Sequence, residues 1–390
     1  PSDNAFMYTL KGILGGYQSY VDIKPQYMNI GVYNNGESRD LWEIKLNLTE
    51  DEKKILTLHA WELSHSGAFS YYFFDENCST LLLRMLEVLR PSIQFKSVSE
   101  LFVVPQVTYR EVSEIFKAKD TGYRSSLKKK INYQFQQLSS SEKKDFSKIL
   151  YRGKKLEGYK NTKVLDTLID IWKHKTYSKK VKRTEGPMQQ MYQVYLARSK
   201  IKRSSEKLEI KKPEIENPLL GHALSLLSLG VGDGSYTLRG RYGFHDFFDS
   251  NRGFDHHSYI SFLDTEFSNI DSRDRLSIKF VDILSLPSYD MLFKNLSWRG
   301  MITYFNSDDF QGYEVLGGIG LSHQIKSTQL FGLITSNIYQ NMMKTYSVLG
   351  LNSGVKFSIT DQVMMTFESQ VYEKRLELKG DLKLLSLIHI

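Results

Sequence analysis

From about residue 219 onward the sequence alternates with period two, and no other feature narrows the fold as much. Tyr236-Thr237-Leu238-Arg239-Gly240-Arg241-Tyr242 is one such segment and Leu276-Ser277-Ile278-Lys279-Phe280 is another. Tyr259–Phe267, Trp298–Phe305, Glu314–His323, Gln329–Tyr339, Leu349–Ile359 and Val363–Tyr372 bring the predicted strands to eight. Successive side chains of a strand point to opposite faces, so the pattern predicts antiparallel strands with one apolar and one polar side. Many of the segments run to about ten residues, longer than the five or six usual in a soluble sheet. Long alternating strands with Tyr and Phe near their ends fit an outer-membrane barrel. A soluble sandwich or barrel is the alternative. No repeat of solenoid or propeller length is present.

The chain has 390 residues, which at about 150 per domain allows two to three domains. Its single cysteine excludes an intrachain disulfide and any multi-cysteine metal site. No run approaches 18 apolar residues, so no transmembrane helix is predicted. The net charge of +8 permits an anionic partner. The chain opens at Pro1-Ser2-Asp3-Asn4 without an initiator Met, and Leu385–Ile390 reads as a non-native tail. A piece of a longer protein is expected.

Ahead of the strands the periodicity is helical. Thr49-Glu50-Asp51-Glu52 is a capping-box pattern that opens a helix over Thr49–Ser64, with Leu56, His59, Ala60 and Leu63 on one face. A second helix starts near Asn77, carries Leu81, Leu82, Met85, Leu86 and Leu89, and stops at Arg90-Pro91. Residues 111–216 hold 27 of the 52 Lys and Arg against 13 acids, so the remainder of the chain is net acidic. This segment is expected to be a basic helical connector with too few apolar residues for a large core of its own. Lys128, Lys129, Lys130, Lys179, Lys180, Lys182 and Arg183 form its densest runs, for which an anionic membrane surface is the expected partner. The runs are not interleaved with aromatics at the spacing of a known module, so no nucleic acid is expected.

The only cysteine lies in Phe73-Phe74-Asp75-Glu76-Asn77-Cys78-Ser79-Thr80, at the start of the Leu-rich helix. Exposed N–H groups and the helix dipole at such a position favour the thiolate, the nucleophilic form. Asp75 or Asn77 can cap the helix. A small apolar filler is the bland reading of a lone cysteine. His245, Asp246 and the His256-His257 pair match no zinc spacing, and no P-loop is present, so neither metal nor cofactor is expected.

The string YYFFDENCS, with KGILGGY at Lys11–Tyr17, RDLWE at Arg39–Glu43 and HAWEL at His59–Leu63, resembles the Lnb N-terminal periplasmic domain family, which includes bacterial lipoprotein N-acyltransferases. PLLGH at Pro218–His222, YGFHD at Tyr242–Asp246 and LSWR at Leu296–Arg299 resemble the β-rich region that follows that domain in many members. The resemblance implies an α+β chain. The resemblance implies that a permuted papain-like cysteine domain, expected to be truncated at its N-terminus, covers 1–110. The basic helical connector covers 111–216 and an antiparallel β-barrel-like domain 217–384, with 385–390 left over as the tail. It further implies a protein of the periplasm or outer membrane of a Gram-negative bacterium. The activity implied is that of a cysteine acyltransferase or hydrolase working on lipid-linked or peptide amide and ester bonds, with a lipid or lipoprotein as substrate. On that pattern Cys78 forms a thioester, Asn77 orients the helix start, and the family's histidine is expected upstream of KGILGGY, with His59 as a fallback base. The alternative is a non-catalytic binding protein of the same compartment in which Cys78 is structural.

Overall fold

The computed structural model describes residues 7, 11–12, 15–74, 76–96, 103–153, 155–178, 185–232, 234–246, 249–270, 272–308, 311–341, 344–358, 363–372 and 375–384. They form two compact units, Pro1–Pro213 and Glu214–Ile390. Helix and strand are mixed along the chain. Asp75, Lys179, Lys180, Lys182, Arg183 and the 385–390 tail lie outside the described residues.

In the first unit two short antiparallel pairs frame the helices: β1 (Tyr17–Tyr20) with β3 (Ala68–Tyr71), and β2 (Leu41–Lys45) with β4 (Lys119–Arg124). Helix α1 (Glu50–Ser66) opens on the expected capping box, in which Thr49 accepts from the Glu52 N–H and Glu52 accepts from the Thr49 N–H. Its Leu56, His59, Ala60 and Leu63 face is half-buried, while Ile55, Leu58 and Trp61 stand in the open. Helix α2 (Cys78–Glu87) buries Leu83 and Leu86 in a core with Leu89, Phe95, Val103, Val112 and Phe116, against which Leu56 packs. Each such side chain contributes on the order of 1.5–3 kcal/mol by leaving water. Arg90 ties the two helices, donating to Glu52 at 2.5 Å and lying over the Phe116 ring.

The basic segment differs from its expectation. After α3 (Pro105–Ile115) come α4 (Leu127–Gln136), α5 (Ser140–Arg152), α6 (Thr162–Tyr177) and α7 (Glu185–Ser199), with α6 packed against the other three of this group. Leu127, Ile131, Phe146, Ile149, Val164, Leu165, Leu168, Ile171, Trp172 and Val194 are buried among them. That is a larger core than the apolar content was expected to allow. The charge count concealed it because the lysines occupy the outer faces of short amphipathic helices. Lys129 is held by Asp40 and Lys130 by Asp170, each at 2.7 Å, so both hold the fold together as well as facing water.

The second unit is one antiparallel sheet of ten strands. These are β5 (Leu226–Gly232), β6 (Ser235–His245), β7 (Ser258–Ile270), β8 (Arg273–Ser285), β9 (Ser297–Ser307), β10 (Gln311–Ile325), β11 (Thr328–Asn341), β12 (Thr345–Ser358), β13 (Val363–Tyr372) and β14 (Arg375–Leu384). Each pairs with the next, a plain meander. Two strands exceed the eight expected. In β5 the glycines of LLSLGVG hide the alternation, and β14 lies in the stretch next to the tail. The barrel is not closed: β5 and β14 are the edges of the sheet, and β5 has only 7 residues against 10 to 15 in the others.

The two faces of this sheet are chemically inverted. Leu229, Leu238, Ile302, Val315, Ile319, Leu321, Leu330, Ile334, Ile338, Leu349 and Leu351 are exposed, with Tyr236, Tyr242, Trp298 and Tyr313 on the same side. The opposite face buries Arg241, Asp264, Asp282, Thr303, Glu314, Thr335, Asn337, Asn352 and Lys356. Arg239 grips Asp264 through two N–H donors, Arg299 grips Asp282, and Asn337 donates to Glu314. A small apolar knot of Tyr259, Leu284, Leu286, Phe331 and Leu333 interrupts the polar side.

Candidate functional site

Cys78 is the first residue of α2, and it is exposed. Its exposure removes the filler reading. The helix begins there because Asn77 caps it: the side-chain oxygen accepts from the Ser79 N–H at 2.8 Å and from the Thr80 N–H at 3.4 Å. The amide nitrogen of Asn77 donates to the carbonyls of Val103 at 2.8 Å and Phe73 at 3.2 Å. Asn77 therefore uses both ends of its side chain on backbone, and it positions Cys78 without touching the sulfur. The preceding turn is pinned at three further points, by Tyr72 N–H to Glu76, Phe73 N–H to Gly12 and Val103 N–H to Phe74. Arg84 pairs with Glu76 at 3.3 Å, which offsets the nearest described carboxylate on that loop.

Ser79, Thr80, Leu83 and Leu86 turn inward, while Cys78 and Leu82, one turn apart, face out together. Tyr72 and Phe73 are exposed on the loop that leads into the helix. The cap also limits the oxyanion chemistry available. Two of the first-turn N–H groups, those of Ser79 and Thr80, already bond Asn77, so Cys78's own N–H is the first-turn donor outside the cap.

Among the described residues no hydrogen bond joins the Cys78 sulfur to a histidine. His59 lies on the half-buried face of α1, 3.7 Å from Glu62. His65 bonds the Trp61 carbonyl at 2.8 Å and packs on the Trp61 ring. His174 is buried and bonds the Asn35 carbonyl.

A second concentration of functional groups sits where β6 runs into its loop. The ring nitrogens of His222 and His245 approach to 3.0 Å, with the Asp249 carboxylate beside both. Arg241 bridges Asp246 and Asp249, and Arg239 bridges Asp246 and Asp264. In the sequence, His245 groups with Asp246 and the His256-His257 pair. In the structure His257 contacts Gln329 instead. His222, 23 residues upstream of His245, carried no local signal that could join the two.

An antiparallel sheet with an inverted face, linked in one chain to a helical unit displaying a lone cysteine, makes this an α+β protein. Residues 1–114 match the model of the Lnb N-terminal periplasmic domain, and residues 216–386 match that of a domain of unknown function (DUF7840). The chain thus carries the Lnb N-terminal periplasmic domain and is a protein of the bacterial envelope with a periplasmic part. No curated protein and no solved structure matches it.

Proposed function

We propose that this protein is a cysteine-dependent acyltransferase or hydrolase of the cell envelope, with Cys78 attacking the carbonyl of a lipid-linked or peptide amide or ester. The observation that carries the reading is the presentation of Cys78: an exposed thiol at the first residue of a capped helix, with its supporting loop bonded at each end. A helix start is where papain-like enzymes hold their nucleophile, and the permuted papain-like arrangement is part of this proposal. The thiolate attacks the acyl carbon, a thioester forms, and the amine or alcohol leaves with a proton. The acyl group then passes to an acceptor or to water. Exposed Leu82, Tyr72 and Phe73 give the approach to the sulfur an apolar character that suits an acyl chain.

The exposed apolar face of the sheet supports a seat in the outer membrane. A soluble protein rarely exposes a contiguous apolar face of this size, and a buried polar face beneath it is the pattern of a strand set seated in lipid. On this reading the exposed face of β5–β12 meets the outer membrane. Lipid leaves no unpaired strand edge, so β5 and β14 must also find partners there, in each other or in a second chain.

The activity is tested by adding an activated short-chain ester to the purified protein and following the leaving group. A burst of about one equivalent per chain, abolished by Cys78→Ser with the fold intact, is the expected result. Equal release from wild type and Cys78→Ser would contradict it. Flotation with phospholipid vesicles that resists high salt tests the location, because burial of apolar side chains is not screened.

A further inference from the structure

We infer that His222, His245 and Asp249 form a binding site for a divalent transition ion of the zinc class at the loop end of β6. The three facing atoms are His222 Nε2, His245 Nδ1 and Asp249 Oδ2, separated by 3.0, 3.7 and 3.8 Å. The circle through three points so spaced has a radius of about 2.0 Å, so one ion reaches all three at the usual Zn–N and Zn–O lengths. An ion standing slightly off that plane keeps those lengths and leaves one side open for water or a further ligand.

The surroundings fit a ligand set better than a chance meeting of polar groups. All three side chains are nearly sealed from solvent, at 4%, 5% and 4% exposure for His222, His245 and Asp249. His222 Nδ1 lies 2.6 Å from the Ala223 carbonyl, so that nitrogen carries the proton and Nε2 presents its lone pair to the cluster. The His245 ring is stacked on Phe254 at 4.3 Å and 5°, and the His222 ring packs on the same Phe254 at 4.5 Å. Phe254 thereby fixes both ring planes and forms an apolar wall. Asp249 Oδ2, the oxygen that faces the histidines, itself accepts from Arg241 at 2.6 Å and from the Asp246 N–H at 2.9 Å, so the atom offered to the ion is fixed in place. A simple N–H···N bond between the histidines would account for the 3.0 Å contact. The Asp249 oxygen, 3.7 and 3.8 Å from the two nitrogens, adds the third donor that an ion needs. The inference does not depend on the role of Cys78.

The test uses the whole protein in detergent, loaded with Zn²⁺ or Co²⁺ and dialysed against metal-free buffer. About one zinc per chain is expected to remain. X-ray absorption should show two imidazoles in its first shell, and Co²⁺ should give the visible bands of a four- or five-coordinate site. His222→Ala, His245→Ala and Asp249→Ala should each weaken zinc binding at least about 100-fold, while His323→Ala, on an exposed strand position, should leave it unchanged. Zinc retention equal in wild type and the three variants would overturn the inference, as would an absorption spectrum without imidazole scattering. The spectrum of the wild-type protein decides the matter if a variant fails to fold.

Discussion

Ile334→Arg separates a lipid-facing sheet from a water-facing one. Ile334 is the seventh of the fourteen residues of β11 and is 66% exposed on the apolar face. In water, exchanging an exposed Ile for Arg changes stability by about 0.5 kcal/mol or less. At the middle of a bilayer the same exchange destabilises by about 2–4 kcal/mol, because the guanidinium must be drawn from water or must pull water in. At about 1.4 kcal/mol per decade, that is a drop of about 30- to 700-fold in the folded-to-unfolded ratio. The depth dependence gives an internal control. Ile325 ends β10 on the same face, so Ile325→Arg should lower stability by about 1 kcal/mol or less. The assay is reversible denaturant unfolding of the whole chain in phospholipid vesicles, followed by tryptophan fluorescence, with Trp298 on the same apolar face as a reporter. If Ile334→Arg and Ile325→Arg both unfold within 0.5 kcal/mol of wild type, the exposed face meets water and the seating argued above is wrong.

Asn77→Ala should destabilise the first unit by about 0.5–2 kcal/mol in thermal unfolding and slow alkylation of Cys78, since the cap and the loop anchor are lost together. Glu52 has its carboxyl lowered from its ordinary 4.5 to about 2, chiefly by the hydrogen bond from Arg90. Its stabilisation is therefore complete above pH 4.5 and is lost as pH falls toward 2, so Glu52→Gln should flatten the acid limb of stability in that window while leaving its shape above pH 5 unchanged. Leu83→Ala, at a site with 0% exposure in the α1–α2 core, should lower stability by about 2–5 kcal/mol in denaturant titration.

Much of the framework was legible because it is local. Thr49 and Glu52 announce α1 within four residues, and the Asn77-to-Pro91 span marks both ends of the helix that Cys78 opens. Period two found the central strands, where each residue alternates between the two faces. It failed at β5, whose Ser228, Gly230 and Gly232 provide no large side chains on one face, and at β14, whose Arg375-Leu376-Glu377-Leu378-Lys379 start was passed over next to the tail. The size of the core among the basic helices is hidden for a related reason. Counting charge over a hundred residues averages away the buried face of each helix, and Lys130 meets Asp170 only after 40 residues of chain have folded. His222, His245 and Asp249 meet through a loop and a strand end, so their spacing carries no metal signature. The identity of the Asn77 partners was equally hidden, because Val103 comes 26 residues later.

The central claim is that Cys78 takes an acyl group from an envelope substrate. The direct measurement is peptide mapping by mass spectrometry of the protein recovered from lipid vesicles or from the envelope itself. The account predicts a fatty-acyl mass on the peptide containing Cys78, removed by neutral hydroxylamine as a thioester must be, and absent from Cys78→Ser. A Cys78 peptide that stays unmodified under conditions where the protein consumes its lipid substrate would contradict it.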